Sequence, residues 1–146
     1  MPTQAFWNLR AFLWIRGVNK VIRNASPYNK MLEDSVLSAT KEELTLMLYE
    51  GGIRFINQAL VAIEKKDYAK ANTAIQRAED IVREFQITLD HKYPIARQLD
   101  ALYDYMHRRL IEGNLTKDPV IINEVLGMFR EFRDTWKEAM KIAKIG

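Results

Sequence analysis

Residues 67–89 read DYAKANTAIQRAEDIVREFQITL. Ala71, Ala74, Ile75, Ala78, Ile81, Val82, Phe85 and Leu89 recur three and four apart, and polar residues fill the positions between. At 3.6 residues per turn this spacing gives one apolar face, the mark of a helix lying on a core. Asp67 stands where a carboxylate can accept the free amides of the first turn, so the helix is predicted over Tyr68–Leu89.

The same pattern repeats on both sides. Ile95, Leu99, Leu102, Met106 and Leu110 predict a third helix, opened by Pro94 in its first turn and ending at Glu112. Gly113-Asn114 offers a left-handed stop. Asp118-Pro119 restarts the chain as cap and first helical residue. A last helix then runs to about Ala143, with Ile122, Val125, Phe129, Phe132, Trp136 and Met140 on its apolar face. Upstream, Thr40-Lys41-Glu42-Glu43 has the form of a capping box ahead of a helix from about Lys41 to Lys66. Connections this short force successive helices to run antiparallel. The expected fold is all-α: an antiparallel four-helix bundle with an extra N-terminal helical segment.

Composition agrees. The chain has 146 residues, 48% hydrophobic and 28% charged, enough to bury one core. It contains no cysteine, which removes disulfides and thiolate metal sites and fits a reducing cytosol. The net charge of +3 is unevenly placed. Arg10, Arg16, Lys20, Arg23 and Lys30 precede the first carboxylate, Glu33, which leaves seventeen bases against all nineteen acids, a net −2, over residues 31–146. No basic patch that would neutralise several phosphates is implied, and no nucleic-acid partner is expected.

Residues 1–25, MPTQAFWNLRAFLWIRGVNKVIRNA, differ in character from the rest. Trp7, Ala11, Trp14, Ile15, Val18, Ile22 and Ala25 share one helical face, and Arg16, Asn19, Lys20 and Arg23 another. Charges break the stretch well short of the ~20 apolar residues of a membrane span, so stable insertion is not expected. Arg16 and Lys20 also interrupt the apolar core that a secretory signal requires. Two readings stand: an amphipathic helix resting on a membrane or in a groove, and a stretch upstream of the working protein. The expected organisation is an extension over 1–25 and a single helical-bundle domain over 26–146.

Chemistry is scarce. A di-iron bundle needs two glutamates and two Glu-x-x-His pairs, and the chain has only His91 and His107. Neither a metal nor any other cofactor is expected. No phosphate loop follows a strand. Gly51-Gly52 falls inside a predicted helix at a cost of about 1 kcal/mol relative to alanine; close approach of a neighbouring helix or a ligand segment should offset it. Carboxylates such as Asp134 and Glu138 stand at helical spacing from Arg130 and Lys141, as on solvated faces. No nucleophile has the partners that acyl transfer requires. An enzyme is not expected. Two features exceed the needs of a plain bundle: apolar arcs wider than one stripe at Leu44–Tyr49 and at Tyr103–Met106, and adaptable methionines at 31, 47, 106, 128 and 140.

Four strings carry a resemblance. Ser26-Pro-Tyr28, Ser35-Val-Leu-Ser-Ala-Thr-Lys-Glu-Glu-Leu-Thr-Leu-Met-Leu-Tyr49 followed by Glu-Gly-Gly-Ile-Arg-Phe55, Leu102-Tyr-Asp-Tyr-Met106 with Arg108-Arg109-Leu110, and Arg133-Asp-Thr-Trp136 resemble the flagellar export chaperone family FliS in order and spacing, over about Tyr28 to Lys144. The resemblance implies a cytosolic chaperone without catalytic activity. Its partner would be the C-terminal region of flagellin, kept from premature polymerisation and delivered to the flagellar type III export gate, whose components are a further implied partner. Recognition would be helix-in-groove. The resemblance implies Tyr28 as part of a cap over the groove, and Tyr49, Ile53, Ile56, Tyr103 and Met106 as groove lining. Residues 1–25 depart from the family pattern, as do His107 and the compact connection His91-Lys-Tyr-Pro94. The extension leaves two further possibilities open: that its apolar stripe competes with flagellin for the groove, or that it anchors the bundle to a membrane surface as an adaptor.

Overall fold

The computed structural model describes residues 38–145. Residues 1–25, the turn at Ser26-Pro27 and Tyr28 lie outside them. Four helices and no strand occur among the described residues: α1 (Lys41–Glu64), α2 (Tyr68–Thr88), α3 (Ala96–Thr116) and α4 (Pro119–Ile145). The all-α helical bundle expected from the periodicity is what the chain forms.

The chain divides into two compact units, Met1–Met47 and Leu48–Gly146. The described part of the first holds the start of α1. The Glu43 amide donates to Thr40 Oγ1 at 3.1 Å and the Leu44 amide to the Thr40 carbonyl at 2.9 Å, which is the forward half of the predicted capping box. Glu42 and Glu43 place negative charge in the first turn, where the helix dipole favours it.

The second unit carries the rest. α1 ends on Lys66, in the left-handed region at φ 61°; its amide bonds to the Ile63 carbonyl at 3.0 Å, and the Asp67 amide to Ala62 at 2.8 Å. This paired closure satisfies carbonyls that the helix end would leave free. Asp67 then caps α2 through Oδ1, which accepts from the Lys70 amide at 3.2 Å. Asp118 does the same for α4, accepting from Val120 at 2.9 Å ahead of Pro119.

Two sequence expectations are corrected at helix ends. The chain does not stop at Gly113-Asn114. α3 continues to Thr116, and Lys117 takes the left-handed position at φ 52° with its amide bonded to the Gly113 carbonyl. Gly113 serves packing instead: a Cβ there would lie 2.5 Å from Ile122 Cδ1 and 3.2 Å from Ile121 Cγ2. Asn114 is engaged too, donating to Asn72 Oδ1 on α2 at 2.7 Å while accepting from Lys117 Nζ at 2.8 Å. Pro94 lies in the turn before α3, whose N-cap, Ile95, makes no side-chain cap bond.

The core follows the predicted stripes on α2 and α4. Ala71, Ala74, Ile75, Ala78, Ile81, Val82 and Phe85 are buried, as are Ile122, Val125 and Phe129. α3 is rotated from its expected setting. Ala96, Tyr103, Met106, Leu110 and Gly113 face inward, while Ile95 and Leu102, assigned to the core by periodicity, are 57% and 42% exposed. Apolar residues cover two adjacent arcs of α3 and only one can be buried. The arc with the large Tyr103 ring and the small Gly113 wins, because the ring removes more apolar area from water and the glycine admits close approach. On the surface, Asp134 accepts from Arg133 Nε at 2.9 Å, although the helical spacing pointed to Arg130.

Gly52 shows why a glycine sits inside α1. A Cβ there would overlap the Phe129 ring, with Cδ1 and Cζ at 2.8 Å, and Phe129 has no exposed surface into which to move. Gly127 on α4 has nothing within 4 Å of the same position. Gly52→Ala should therefore destabilise, an overpacking cost of about 1–3 kcal/mol outweighing the helix-propensity gain of about 1 kcal/mol. Gly127→Ala should stabilise by up to about 1 kcal/mol. Urea midpoints of the two variants should move in opposite directions from that of the parent.

Candidate binding surface

Aromatic rings from all four helices meet in the second unit. Tyr49 of α1 lies 4.6 Å, centroid to centroid, from Phe85 of α2 and stacks parallel on Phe132 of α4 at 5.9 Å. Tyr103 of α3 packs 5.4 Å from Phe85 and 5.5 Å from Phe132, and Phe129 lies 6.4 Å from Phe85. The two tyrosine hydroxyls sit 3.4 Å apart in this buried setting. Burial pushes both phenols above their ordinary range, and the neighbouring Tyr103 raises Tyr49 further. Both hydroxyls are therefore neutral at physiological pH, each the other's polar neighbour in an apolar cluster.

Of the five described residues expected to line a groove, two take part in this cluster. Tyr49 and Tyr103 belong to it. Ile53 and Ile56 lie one and two turns beyond Tyr49, and Met106 one turn beyond Tyr103. All five are buried, and Ile56 and Met106 have no accessible surface. Part of the accessible apolar surface lies on α3 and α4; Leu115 and Val120 are exposed elsewhere on these helices. Phe132 is half-buried, and Leu102 and Ile95 stand on the outer arc of α3. Sequence reasoning placed Leu102 and Ile95 in the core; the signal available was the double-width arc of α3 itself.

The seam between α3 and α4 changes character along its length. At one end Gly113 lets Ile121 and Ile122 close against α3. Next comes a polar bridge. Tyr105 donates to Glu124 Oε1 at 3.0 Å, and Arg109 Nε donates to the same oxygen at 2.9 Å while its Nη1 reaches Glu112 at 2.8 Å. The Arg109 bond is the main reason that the Glu124 carboxyl is held below its usual range; partial burial opposes this and Tyr105 assists it. Beyond the bridge the partners become large and apolar. The antiparallel register set by Gly113 with Ile122 and Tyr103 with Phe132 puts Leu99 opposite Trp136 and Ile95 opposite Met140; all but the exposed Ile95 are half-buried. The seam is thus closed by small residues at one end and floored by aromatic rings at the other.

The α2–α3 seam adds polar contacts to the Phe85–Tyr103 ring pair. Asn114 pairs with Asn72, and Gln86 Nε2 donates to Asp100 Oδ1 at 3.4 Å. Between them sits His107. Burial and then the nearby Arg83 push its imidazole below the ordinary value of 6.5, against the pull of Asp104 and Asp80. Among the described residues no three acidic or histidine side chains are grouped to hold a metal ion, and no helix is long and apolar enough to cross a membrane.

Exposed Ile95 and Leu102, with half-buried Phe132, Trp136 and Met140, give this helical-bundle protein an apolar strip of the kind that takes an amphipathic segment of another chain. The comparisons identify the class further. The family described as flagellar protein FliS matches residues 24–143. The flagellar secretion chaperone FliS of Bacillus subtilis is 40% identical over 116 residues, covering 80% of this chain and 87% of the relative. Those of Salmonella typhimurium and Escherichia coli are 33% and 30% identical, over 73% and 75% of this chain and 82% of each relative. The chain belongs to the FliS family of flagellar secretion chaperones, which are not enzymes.

Two outcomes follow from the geometry. Tyr103→Ala removes the ring that joins Phe85 to Phe132 and should cost about 3–5 kcal/mol, whereas Tyr103→Phe forfeits only the hydroxyl contact, about 1 kcal/mol; chemical denaturation measures both. A histidine whose folded pKa is depressed lets the unfolded chain bind more protons, so stability falls as the pH drops through 6.5 towards the folded value. Urea midpoints at pH 7.5 and 5.5 should differ less in His107→Gln than in the parent.

Proposed function

We propose that this chaperone receives the C-terminal helical region of flagellin in the cytosol, prevents its premature polymerisation and assists its delivery to the flagellar type III export apparatus. The observation that carries this reading is the open half of the α3–α4 seam. Ile95 and Leu102 are exposed there beside the half-buried Phe132, Trp136 and Met140, and the four-helix aromatic cluster lies beneath. Family membership supports a cargo of the flagellar secretion route: the relatives are flagellar secretion chaperones.

A client helix with apolar residues three and four apart would lay its stripe along this trough. Ordering the client subtracts about 2–5 kcal/mol from the gross interaction, which suits a complex that must later release its cargo. Tyr49, Tyr103 and Ile53 form the floor, and the fully buried Ile56 and Met106 hold that floor in shape without meeting the client. Tyr28 retains the role of cap over the trough that the resemblance implies.

The test is co-purification with flagellin from the same genome. Intact flagellin should be retained and flagellin lacking its C-terminal region should not. Leu102→Asp should lose the complex while melting near the parent's temperature, because Leu102 is largely outside the core. Equal retention of truncated flagellin would exclude the proposed client segment.

A further inference from the structure

We propose that the Tyr105–Glu124–Arg109 bridge is a stop that fixes where the client helix ends along α3; this rests on the trough proposed above. Ile95, Leu102, Arg109 and Thr116 are spaced seven apart and so share one face of α3, turned towards α4. The first two are apolar and exposed. The third is charged and committed: Arg109 ties Glu124 of α4 and Glu112 of its own helix, and Tyr105 donates to the same Glu124 oxygen. Thr116, the fourth, bonds its hydroxyl back to the Glu112 carbonyl at 2.9 Å. The apolar strip therefore occupies two successive heptad positions and meets a charge at the third.

Two physical effects make that charge a boundary. An apolar client residue laid over the bridge would strip water from Arg109 and Glu124 without replacing their lost hydrogen bonds. The bridge also joins α3 to α4, so a client cannot settle between the two helices where it stands. A client stripe of matching length has one register that fills the apolar half and halts at Arg109. Without the bridge the face from Ile95 to Thr116 would be uninterrupted, and a helical client could slide by a turn. The bridge thus selects register as well as extent.

The chain has no cysteine, so a single introduced thiol reports its own position. Leu102→Cys and Thr116→Cys would each be labelled with maleimide, with and without intact flagellin, and the chaperone's mass followed. Bound flagellin should slow labelling at 102 several-fold and leave 116 unchanged. Adding Arg109→Leu, or separately Glu124→Leu, should bring 116 under protection. Agreement between the two variants, each checked by melting, separates this result from local misfolding. Protection at 116 in the parent background overturns the stop, as does an unprotected 116 in both variants. Lack of protection at 102 overturns the trough itself, and the stop with it.

Discussion

The inward turn of Tyr103 decides how this bundle presents itself. Its ring fills the space between Phe85 and Phe132 and its hydroxyl meets that of Tyr49, so α3 is held by contacts to every other helix. A helix cannot bury two adjacent arcs. Once Tyr103 is inside, Leu102 must be outside, and Ile95, seven residues earlier, goes with it. The exposed apolar surface is thus the direct consequence of a well-packed interior, not a defect in it. Burying an aromatic ring returns enough to leave an aliphatic pair in water.

The two seams of α3 are built from different materials. Towards α2 the Phe85–Tyr103 ring pair is joined by amides, a carboxylate and a half-buried histidine, whose directional bonds help fix the two helices in one register. Towards α4 the closed end relies on Gly113 and the open end on rings and long aliphatic chains, with one polar bridge between. A client needs a surface that is rigid beneath and adaptable above. The polar seam and the aromatic floor provide the first. Met140 and Trp136, which can shift among rotamers at small cost, provide the second.

The chaperone identity of the family is consistent with this division of labour. Titratable groups here act on geometry. Glu124 is held ionised by Arg109, and the buried phenols are held neutral, so that each fixes a contact without transferring a proton to a substrate. Recognition of a helix by area and shape is tolerant of client sequence but weak in register, and in the proposed complex the charged bridge would restore what shape lacks.

Sequence alone determined the number and order of the helices, most of their caps and the inner faces of α2 and α4. Those depend on local rules: side-chain periodicity, the oxygen of Thr40, Asp67 or Asp118 beside free amides, and the spacing of short connections. Tyr49, Ile53, Ile56, Tyr103 and Met106 were picked out by the strings that contain them, but which face each one turns to was not legible there; all five are buried. Tertiary structure decided the rotation of α3, the helical passage through Gly113 and the exposure of Ile95 and Leu102. Each depends on which of two locally acceptable arrangements packs better against residues distant in the chain, and neither periodicity nor propensity encodes that competition.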